Sequence, residues 1–582
     1  MDTKISGSRR RFLQNAALVG AGLSVPFIAD KVSSETATPE DKDCIIIGTG
    51  FGGAVAALRL AQAGITVTML ERGRRWTRDA KGEYPEFSNF RNPTNRIGWM
   101  RTNTPVSGFG FGRGTNGADL PADNQFSKYA GIFERIDYQP TEVTGVHKVA
   151  ATGIVSLGGV GVGGGSLIYN TISYKPSKEL FELVFPKIIS YNEMDTIYYP
   201  RVRAILKPAP TPFDILNTPY YAATRAALEL GKASGLPTQL LDLDVDWSKV
   251  REELNGTRTK SAIIGDTWFG IKSGAKNSLD QNYLKMAEDT GKVTINPLHI
   301  VYDIEAVTVS GKQRYVVRCK QIDENGAVLA DKAYRCRLLF MGAGSTGTSA
   351  LLIKAKATGK LPNLNNYTGK GWGGNGDVLG IPFGLPATSI NNLGQGGPAL
   401  AKIEDFTNPI NPISITFLSK WNSQHELLGL GMATPRNFGL AKLLTMTLTQ
   451  RDTILNNNYG KFTYNSGTDT STLNFPLSAN AEVVKSLSKM LTTIKSKAVN
   501  YFIQNPPFIL TIGLATGHPL GGMVMGLACD YDGRVLGYQG LYVVDGALIP
   551  GFACSANPSL TIAAIAERCM DRLKSELNTV NA

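Results

Sequence analysis

Short apolar runs that end at glycines mark the start of the folded part of the chain. Cys44 to Ile47 is predicted as a buried strand. A helix follows to about Ala63, where Gly64 is a typical stop signal, and Thr66 to Leu70 is predicted as a second strand. This order of strand, helix and strand predicts an α/β fold.

Similar runs return twice, much farther along the chain. A hairpin-like pair near residues 313–322 and 328–337 leads into residues 338–344, LLFMGAG, a strand that ends in glycines. Residues 541–546, LYVVDG, form a strand that ends at Asp545 and Gly546, and a proline turn and a helix follow. A domain assembled from three separate stretches of chain is therefore predicted.

The last predicted helix begins at Asn557 and Pro558. Its apolar repeat indicates one buried face, formed by Leu560, Ala563, Ala564, Cys569 and Leu573. An asparagine directly before a proline at a helix start is typical of a plain N-cap.

The first glycine turn carries the chemistry of a dinucleotide site. It reads GxGxxG between a strand and a helix, and an acidic residue closes the second strand. Such glycines let backbone N–H groups approach a pyrophosphate at the helix N-terminus, and the acid accepts hydrogen bonds from a ribose. A tight turn without a ligand is the alternative. The candidate cofactor-binding residues here are Gly48, Gly50, Phe51, Gly52, Gly53 and Glu71.

The discontinuous pattern favours FAD over a nicotinamide cofactor, because a nicotinamide domain usually closes its sheet locally. The chain has 582 residues, which is too long for one compact core, so two or more domains are expected.

Charge gives only weak information about partners. Lys and Arg exceed Asp and Glu by 12, and such a surface favours contact with anionic membranes or acidic partners, or is simply solvated. No arginine-rich run interleaved with aromatic residues indicates nucleic acid.

The N-terminal segment, residues 1–37, is expected to be a twin-arginine export signal and leader. Ser8 to Gln14 reads SRRRFLQ, and Ala16 to Ala29 is a short apolar run behind it. That run is too short to span a bilayer. We expect export of the folded protein to the periplasm or the medium; a basic disordered tail is the alternative.

The six cysteines show neither a CxxC motif nor metal-ligand spacing, so no metal site is expected. Buried free thiols are the default, although export permits a disulfide, for which Cys319 and Cys336 on neighbouring predicted strands are the candidates.

Five segments together resemble the GMC (glucose–methanol–choline) flavin oxidoreductases, and within them the bacterial cholesterol oxidases with noncovalent FAD. They are IIGTGFGGAVAALRLAQAGITVTMLERG, GVGVGGGSL, LLFMGAGSTGTSALL, KGWGGNGD, and GHPLGG through NPSLTIAAIAER, and they span residues 42 to 576 in family order. The resemblance implies a Rossmann-like FAD-binding domain and a substrate domain with a six-stranded antiparallel sheet.

The implied domain boundaries follow these segments. Residues 40–80, 276–365 and 530–578 are expected to form the FAD-binding domain, and residues 81–275 and 366–529 the substrate domain.

A second glycine loop, GVGGGS, has no side chains to keep a flat ring system away. In the resembling family this loop lies along the flavin. The family has an asparagine three residues after the serine, where this chain has Tyr169. The further cofactor-binding candidates are Gly161, Gly163, Gly164, Gly165, Ser166, Asn170, Asp545, Gly546, Asn557 and Pro558.

His518, in GHPLGG, is the candidate catalytic base. Alcohol oxidation needs a base for the hydroxyl proton and an acceptor, flavin N5, for the hydride. The resemblance places His518 over the flavin and Asn557 beside the substrate hydroxyl. The helix that follows Asn557 would supply positive potential to the reduced flavin. A loop histidine that bonds backbone is the alternative; His147, His299 and His425 receive no role.

Cholesterol oxidases also carry a proton-moving glutamate. Its position falls nearest Lys402, and Glu404 lies two residues farther on the same face of a strand. Glu404 is therefore either a substitute catalytic acid or a surface residue.

The sequence thus predicts FAD-dependent oxidation of a secondary alcohol to a ketone, with a 3-hydroxysteroid such as cholesterol as substrate and oxygen or another electron acceptor. Oxidation of another bulky apolar alcohol, without isomerisation, is the first alternative. A flavoprotein that binds lipid without turnover is the second.

Overall fold

The computed structural model describes residues 37–89, 94, 96, 131–138, 154–384, 401–418, 426–500, 502–503 and 514–581, and all structural statements below refer to these residues. The predicted leader therefore lies outside the described residues, apart from Ala37.

Nineteen strands occur in this part of the chain: β1 (Glu40–Ile47), β2 (Val67–Leu70), β3 (Phe133–Tyr138), β4 (Ile154–Gly159), β5 (Thr238–Leu240), β6 (Val293–Asn296), β7 (His299–Val309), β8 (Lys312–Ile322), β9 (Val328–Met341), β10 (Lys370–Trp372), β11 (Asp377–Gly384), β12 (Ala401–Asp405), β13 (Ile413–Leu418), β14 (Glu426–Ala433), β15 (Gly460–Asn465), β16 (Thr470–Asn474), β17 (Phe502–Ile503), β18 (Leu514–Thr516) and β19 (Leu541–Val543).

The α-helices of the same part are α1 (Phe51–Gln62), α2 (Lys178–Val184), α3 (Tyr191–Glu193), α4 (Tyr199–Leu206), α5 (Phe213–Leu216), α6 (Ala222–Ser234), α7 (Trp247–Asn255), α8 (Tyr283–Glu288), α9 (Gly344–Ala357), α10 (Leu440–Leu443), α11 (Leu448–Asn458), α12 (Ala481–Lys497) and α13 (Ser559–Leu573). Short 3-10 helices include Gly164–Leu167 and Gly546–Leu548.

The largest sheet has seven strands in the order β6-β2-β1-β9-β8-β7, with β19 beside the C-terminal half of β9. Strands β6, β2, β1, β9 and β19 run parallel, whereas β7 and β8 form an antiparallel extension. Cys44 pairs with Val67 on one side and with Leu338 on the other. The apolar runs that the sequence marked as strands, from three separate stretches of the chain, thus meet in one Rossmann-like sheet.

The apolar character of these runs has a clear cause. Every residue of β2, and Cys44 to Ile47 of β1, is buried, because helices cover the sheet. Helix α1 packs against α13, and the five residues of the predicted apolar face of α13 are all buried.

A second sheet has six strands in the order β17-β11-β14-β13-β12-β5, and every pairing in it is antiparallel. The implied six-stranded antiparallel sheet is therefore confirmed. Helices α6 and α12 pack on it through buried side chains such as Leu230 and Leu487. Its strands fall within residues 81–275 and 366–529, while those of the Rossmann-like sheet fall within 40–80, 276–365 and 530–578.

The disulfide considered between Cys319 and Cys336 is wrong. All six cysteines are free and buried. Cys319 pairs with Lys332 across the β8–β9 ladder, and Cys336 pairs with Tyr315. The four-residue offset along the strand is about 13 Å, which is beyond the reach of a disulfide.

Among the described residues, no helix is long and apolar enough to cross a membrane.

Candidate active site

The glycine turns of the Rossmann-like sheet, the GVGGGS loop and the GHPLGG loop all line one cavity of about 420 Å³. Its walls are built at the carboxyl ends of β1 and β9, where ligands of open α/β sheets bind. Four distant parts of the sequence therefore converge on one site.

The GxGxxG turn is packed so closely that side chains are excluded. A Cβ added at Gly48 would lie 2.4 Å from the Gly342 carbonyl oxygen, and one at Gly52 would lie 2.0 Å from that of Val544. At Gly53 the added atom would lie 2.4 Å from the Gly48 oxygen. These glycines permit α1 to begin directly at the sheet.

Other glycines leave the cavity open. A Cβ at Gly165 or Gly517 would meet no protein atom within 4 Å, and one at Gly50 would meet only the Gly342 oxygen, at 3.9 Å. All three residues line the cavity. A flat ligand can therefore approach the backbone at these positions. Phe51, the first residue of α1, also lines the cavity.

Glu71 connects the two glycine loops. Its carboxylate accepts hydrogen bonds from the backbone N–H of Thr49 (3.1 Å) and of Gly73 (2.9 Å), and from the Thr49 hydroxyl (2.8 Å). The same hydroxyl accepts from the N–H of Gly163 at 3.1 Å. Burial raises the pKa of Glu71, and these hydrogen bonds oppose the increase. Glu71 lies at the cavity wall, where a ribose could share its remaining lone pairs.

The GVGGGS loop is held from both sides. Gly164 packs on Gly50, because an added Cβ would lie 2.8 Å from the Gly50 Cα. Gly161 and Gly163 adopt positive φ of 136° and 114°. The buried Ser166 hydroxyl donates to the Gly163 carbonyl at 2.7 Å and accepts from the Leu279 N–H at 3.0 Å, so Ser166 fixes the loop instead of facing the cavity.

Tyr169 and Asn170 both line the cavity. The Tyr169 hydroxyl donates to Asp244 at 2.7 Å, and burial raises the pKa of Asp244 to about 7. The buried Lys276 ammonium donates to the carbonyls of Leu167 and Tyr169 at 2.9 and 2.8 Å. Tyr169 thus has its own protein partner, whereas Asn170 faces the cavity.

Two buried polar atoms in the cavity wall have no hydrogen-bond partner in the described part of the chain. They are Asn170 Oδ1 and the Thr346 hydroxyl, in the first turn of α9. Unpaired buried polar groups are costly, so these atoms point to a polar ligand. With the open glycines, Glu71 and the uncapped starts of α1 and α9, the wall fits a flavin dinucleotide.

Asp545 and Gly546 join the cofactor cavity to the histidine loop. Asp545 accepts from the Thr348 hydroxyl (2.6 Å) and from the N–H of Ala547 (2.8 Å), and burial raises its pKa to about 6. The Gly546 carbonyl accepts from the N–H of Gly521 at 2.9 Å. Asp545 is therefore structurally engaged as well as placed at the cavity.

The GHPLGG loop is rigid for steric reasons. Gly521 and Gly522 have φ of 84° and 99°, and an added Cβ would lie 2.0 Å from the Gly371 oxygen or 1.9 Å from the Ser349 hydroxyl, respectively. Leu520 and Gly373 exchange two backbone hydrogen bonds of 2.9 Å. This packing holds the backbone of His518 in one place.

The His518 imidazole lies between two polar side chains. Its Nε2 is 3.1 Å from Asn557 Nδ2, and its Nδ1 is 3.0 Å from Asp377 Oδ1. The side chain is 18% exposed and lines the cavity. The alternative of a histidine that only bonds backbone is wrong, because both ring nitrogens contact side chains.

Asp377 is a site residue that sequence reasoning missed. It is the last residue of the quoted KGWGGNGD segment, yet nothing local indicates a contact with His518. The contact arises because β11 and β18 lie side by side.

Asn557 is not a helix cap. Pro558 occupies the N-cap position of α13, and no side chain caps that helix. The Asn557 side chain instead faces His518. The interpretation of Asn557 as a plain N-cap is therefore wrong. Asn557, Pro558 and the first residue of α13 all line the cavity.

Glu404 is not a surface acid. Its side chain is 11% exposed and accepts hydrogen bonds from the Tyr174 hydroxyl (2.7 Å) and from Gln239 (2.9 Å). Glu404 does not line the cofactor cavity.

Lys402, at the position of the family's glutamate, is buried and donates to the Ser555 carbonyl at 2.9 Å. Burial lowers the pKa of Lys402 to about 8, although Glu404 opposes the decrease.

His299 also lines the cavity, which the sequence did not indicate. Its Nδ1 lies 2.7 Å from the Pro297 carbonyl, and burial lowers its pKa. His147 and His425 lie outside the described residues. A cluster of three or more His, Cys, Asp or Glu that could hold a metal ion is absent from the described ranges.

Comparison with known proteins defines the class. Residues 479–566 match the family model for GMC oxidoreductase, and residues 46–83 match the model for an NAD(P)-binding Rossmann-like domain. The Rossmann-like sheet and the glycine-lined cavity agree with this class: the chain is an FAD-dependent oxidoreductase that acts on alcohols, as its sequence predicted.

Similar curated proteins carry a more specific name than the family models do. A cholesterol oxidase of Acinetobacter baumannii is 24% identical over 92% of this chain and 95% of its own. A cholesterol oxidase of Mycobacterium tuberculosis (strain ATCC 25618 / H37Rv) is also 24% identical, over 91% of this chain and 90% of its own. The resemblance to these GMC flavin oxidoreductases is thus confirmed.

Solved structures show the same fold. Pyridoxine 4-oxidase from Mesorbium loti superposes with a TM-score of 0.57 at 13% identity, over 91% of this chain and 99% of its own. A fungal aryl-alcohol oxidase gives the same TM-score and identity, over 93% of this chain and 100% of its own.

Proposed function

We propose that the protein oxidises a secondary alcohol to a ketone and that its substrate is a 3-hydroxysteroid such as cholesterol. The observation that carries the chemistry is the pairing of His518 Nε2 with Asn557 Nδ2 at 3.1 Å in the wall of the cofactor cavity. The steroid rests on the names of the relatives, both of which are cholesterol oxidases.

Held by the glycine turns and Glu71, FAD would supply the acceptor for the hydride of the alcohol carbon. His518 Nε2 takes the hydroxyl proton as general base, since the rigid loop presents the imidazole before substrate arrives. In the structure the Asn557 amide contacts Nε2, and when the alcohol takes that place the amide donates to the hydroxyl oxygen instead and holds it beside the base. The start of α13 lines the same cavity and has no side-chain cap, and its positive end favours negative charge there.

The FAD is proposed to be noncovalent. Among the described residues that line the cavity there is no cysteine, and the two histidines present, His299 and His518, each have hydrogen-bond partners. Denaturation should release free FAD into the supernatant; flavin that stays with the precipitated polypeptide would contradict this.

A second candidate is oxidation of another bulky apolar alcohol without isomerisation. It is favoured by Lys402, which stands where the family's glutamate falls and is engaged with Ser555. Glu404, the possible substitute, lies outside the described cavity lining.

The test is anaerobic reduction of bound FAD by a panel of alcohols that includes sterols and aryl alcohols, followed at the flavin absorbance maximum. Fast bleaching by a 3-hydroxysterol, with a ketone product, supports the first candidate. Bleaching only by other alcohols supports the second. If no alcohol bleaches the flavin, the protein is a flavin-binding protein without turnover. Repeating the panel in air and with an artificial acceptor identifies oxygen or another electron acceptor.

We also propose export by the twin-arginine route, on the SRRRFLQ motif alone. Residues 1–37 fused to a reporter should direct export, and Arg9→Lys with Arg10→Lys should stop it. Export of the double mutant would contradict the proposal. Binding to anionic vesicles, compared with neutral ones, tests the transient membrane contact that the basic charge favours.

A further inference from the structure

We infer that Asp377 is a positioning residue that holds the His518 imidazole with its hydrogen on Nδ1 and its lone pair on Nε2. The role of Nε2 as the base rests on the proposed function, whereas the tautomer does not. The tautomer itself follows from contacts on both sides of the ring.

The first contact is with the carboxylate. His518 Nδ1 lies 3.0 Å from Asp377 Oδ1 and 2.9 Å from Oδ2, and the Asp377 side chain is 1% exposed. An ionised carboxylate can only accept a hydrogen bond. Nδ1 must therefore carry the hydrogen that joins the two groups.

The second contact is with the amide. Asn557 Nδ2 can only donate a hydrogen bond, and it lies 3.1 Å from His518 Nε2. With the amide in this orientation, Nε2 accepts and carries no hydrogen of its own. The two contacts agree on one tautomer of the neutral ring, and its lone pair lies on the nitrogen next to Asn557.

Asp377 is itself held in place. The buried Thr516 hydroxyl donates to Asp377 Oδ2 at 2.9 Å and accepts from the backbone N–H of His518 at 2.8 Å. The Asp377 backbone N–H donates to the Gly374 carbonyl at 2.9 Å. Asp377, Thr516 and His518 thus form a closed ring of hydrogen bonds, and rotation of the imidazole would break it.

The carboxylate also has a role after proton transfer. When the alcohol's hydroxyl proton moves to Nε2, both ring nitrogens carry hydrogen, and the adjacent Asp377 carboxylate balances the new positive charge. The charged residues that line the cavity beside His518 have other partners: Glu134 pairs with Arg72, Glu71 accepts from Thr49, and Asp545 accepts from Thr348.

The direct test is ¹⁵N NMR of histidine-labelled holoenzyme, which is feasible because the chain has only four histidines. His518→Gln removes one signal set and thereby assigns it. In the wild type we expect the Nδ1–H tautomer at His518. In Asp377→Asn, whose amide can also donate, we expect the Nε2–H tautomer or a mixture.

Kinetics give the second readout. Asp377→Asn should slow anaerobic flavin reduction by up to about 10⁴-fold, because the base nitrogen is blocked in the wrong tautomer. The FAD content and the substrate concentration for half-maximal reduction should stay near wild type. Asp405→Asn is the matched control: Asp405 is a buried aspartate of the same sheet that contacts Asn408 instead of the histidine, so the rate should not change.

The outcomes separate this inference from the proposed function. If no alcohol reduces the wild-type flavin, the proposed function fails, and if His518→Gln reduces it at the wild-type rate, His518 is not the base; in both cases the tautomer measurement still decides on Asp377. If His518→Gln is slow but Asp377→Asn keeps both rate and tautomer, the inference alone is overturned. Should Asp377→Asn not fold, an Nε2–H signal in the wild type would overturn it and an Nδ1–H signal would support it.

Discussion

The cofactor cradle and the proton-transfer cluster each contribute residues to the same cavity but are built in opposite ways. The cradle consists of backbone: Gly48, Gly52 and Gly53 leave no space for a Cβ, and Gly165 leaves space only for a ligand. The cluster consists of side chains that hydrogen-bond one another, namely His518, Asn557 and Asp377 with Thr516.

Because of this difference, FAD binding and the rate of flavin reduction should depend on different residues. Substituting a cradle residue should change whether FAD binds, because the ligand meets backbone there. Substituting a cluster residue should leave the bound FAD in place and change how fast it is reduced, since in the proposed mechanism these side chains act on the alcohol. Each variant below is chosen to break or sharpen that division.

The largest effect is expected from Gly52→Ala. Its Cβ would lie 2.0 Å from the Val544 carbonyl oxygen, and neither β19 nor α1 can move away without loss of packing. We expect the free energy of unfolding to decrease by about 3 kcal/mol or more. The variant should also lose FAD. Thermal melting and the ratio of flavin to protein absorbance measure both.

Gly165→Ala is the control for that variant. Its Cβ points into open space in the cavity, and Gly165 has no positive φ. The apoprotein should melt as the wild type does, while FAD binds more weakly. Equal FAD affinity in Gly165→Ala would show that the cradle does not approach the cofactor there.

His518→Ala should give the next largest effect. Removing a positioned base costs about 10²- to 10⁴-fold in rate, so flavin reduction should slow by that factor while FAD stays bound. His518→Gln should retain more activity, because an amide still orients the hydroxyl. Stopped-flow reduction by the best alcohol of the panel measures both, and a wild-type rate in His518→Ala would refute the mechanism.

Asn557→Leu should have a smaller effect, of about 10²-fold on flavin reduction, because one preorganised donor is lost. The flavin reduction potential should shift downwards, since a neutral donor near the anionic reduced ring disappears. The melting temperature should change little, because Asn557 does not cap α13. A lower melting temperature with unchanged kinetics and potential would instead assign Asn557 a purely structural role.

The smallest effect is expected from Asp244→Asn, behind Tyr169. Burial raises the pKa of Asp244 from 3.8 to about 7 in the folded protein, so the folded state binds more protons than the unfolded state between these values. Stability from this group is thus present at low pH and is lost as pH rises from about 4 to about 7. Asp244→Asn has no carboxyl group at this position, so its stability does not decrease in this way as pH rises.

The melting temperature of Asp244→Asn relative to wild type should therefore increase from pH 4.5 to pH 8. Thr171→Ala, which changes a neighbouring buried residue without a titratable group, is the control. A difference between Asp244→Asn and wild type that does not vary with pH would show that Asp244 titrates normally.

The sequence alone determined the features whose causes are local. The turn between β1 and α1, Glu71 at the end of β2 and the GVGGGS loop were predicted because neighbouring residues impose their backbone. The position of His518 on a tight loop followed from Gly521 and Gly522 in the same way.

Only the tertiary structure decided the partners of those residues. Asp377 contacts His518 because β11 and β18 pack together. Lys402, at the position of the family's glutamate, donates to the Ser555 carbonyl. The Asn557 side chain contacts the imidazole instead of capping the helix. A hydrogen bond between side chains depends on how sheets and loops pack over long stretches of chain, whereas a glycine turn depends on steric limits within a few residues. For that reason the cofactor cradle could be predicted from the sequence, whereas the contacts of the proton-transfer cluster could be identified only in the folded structure.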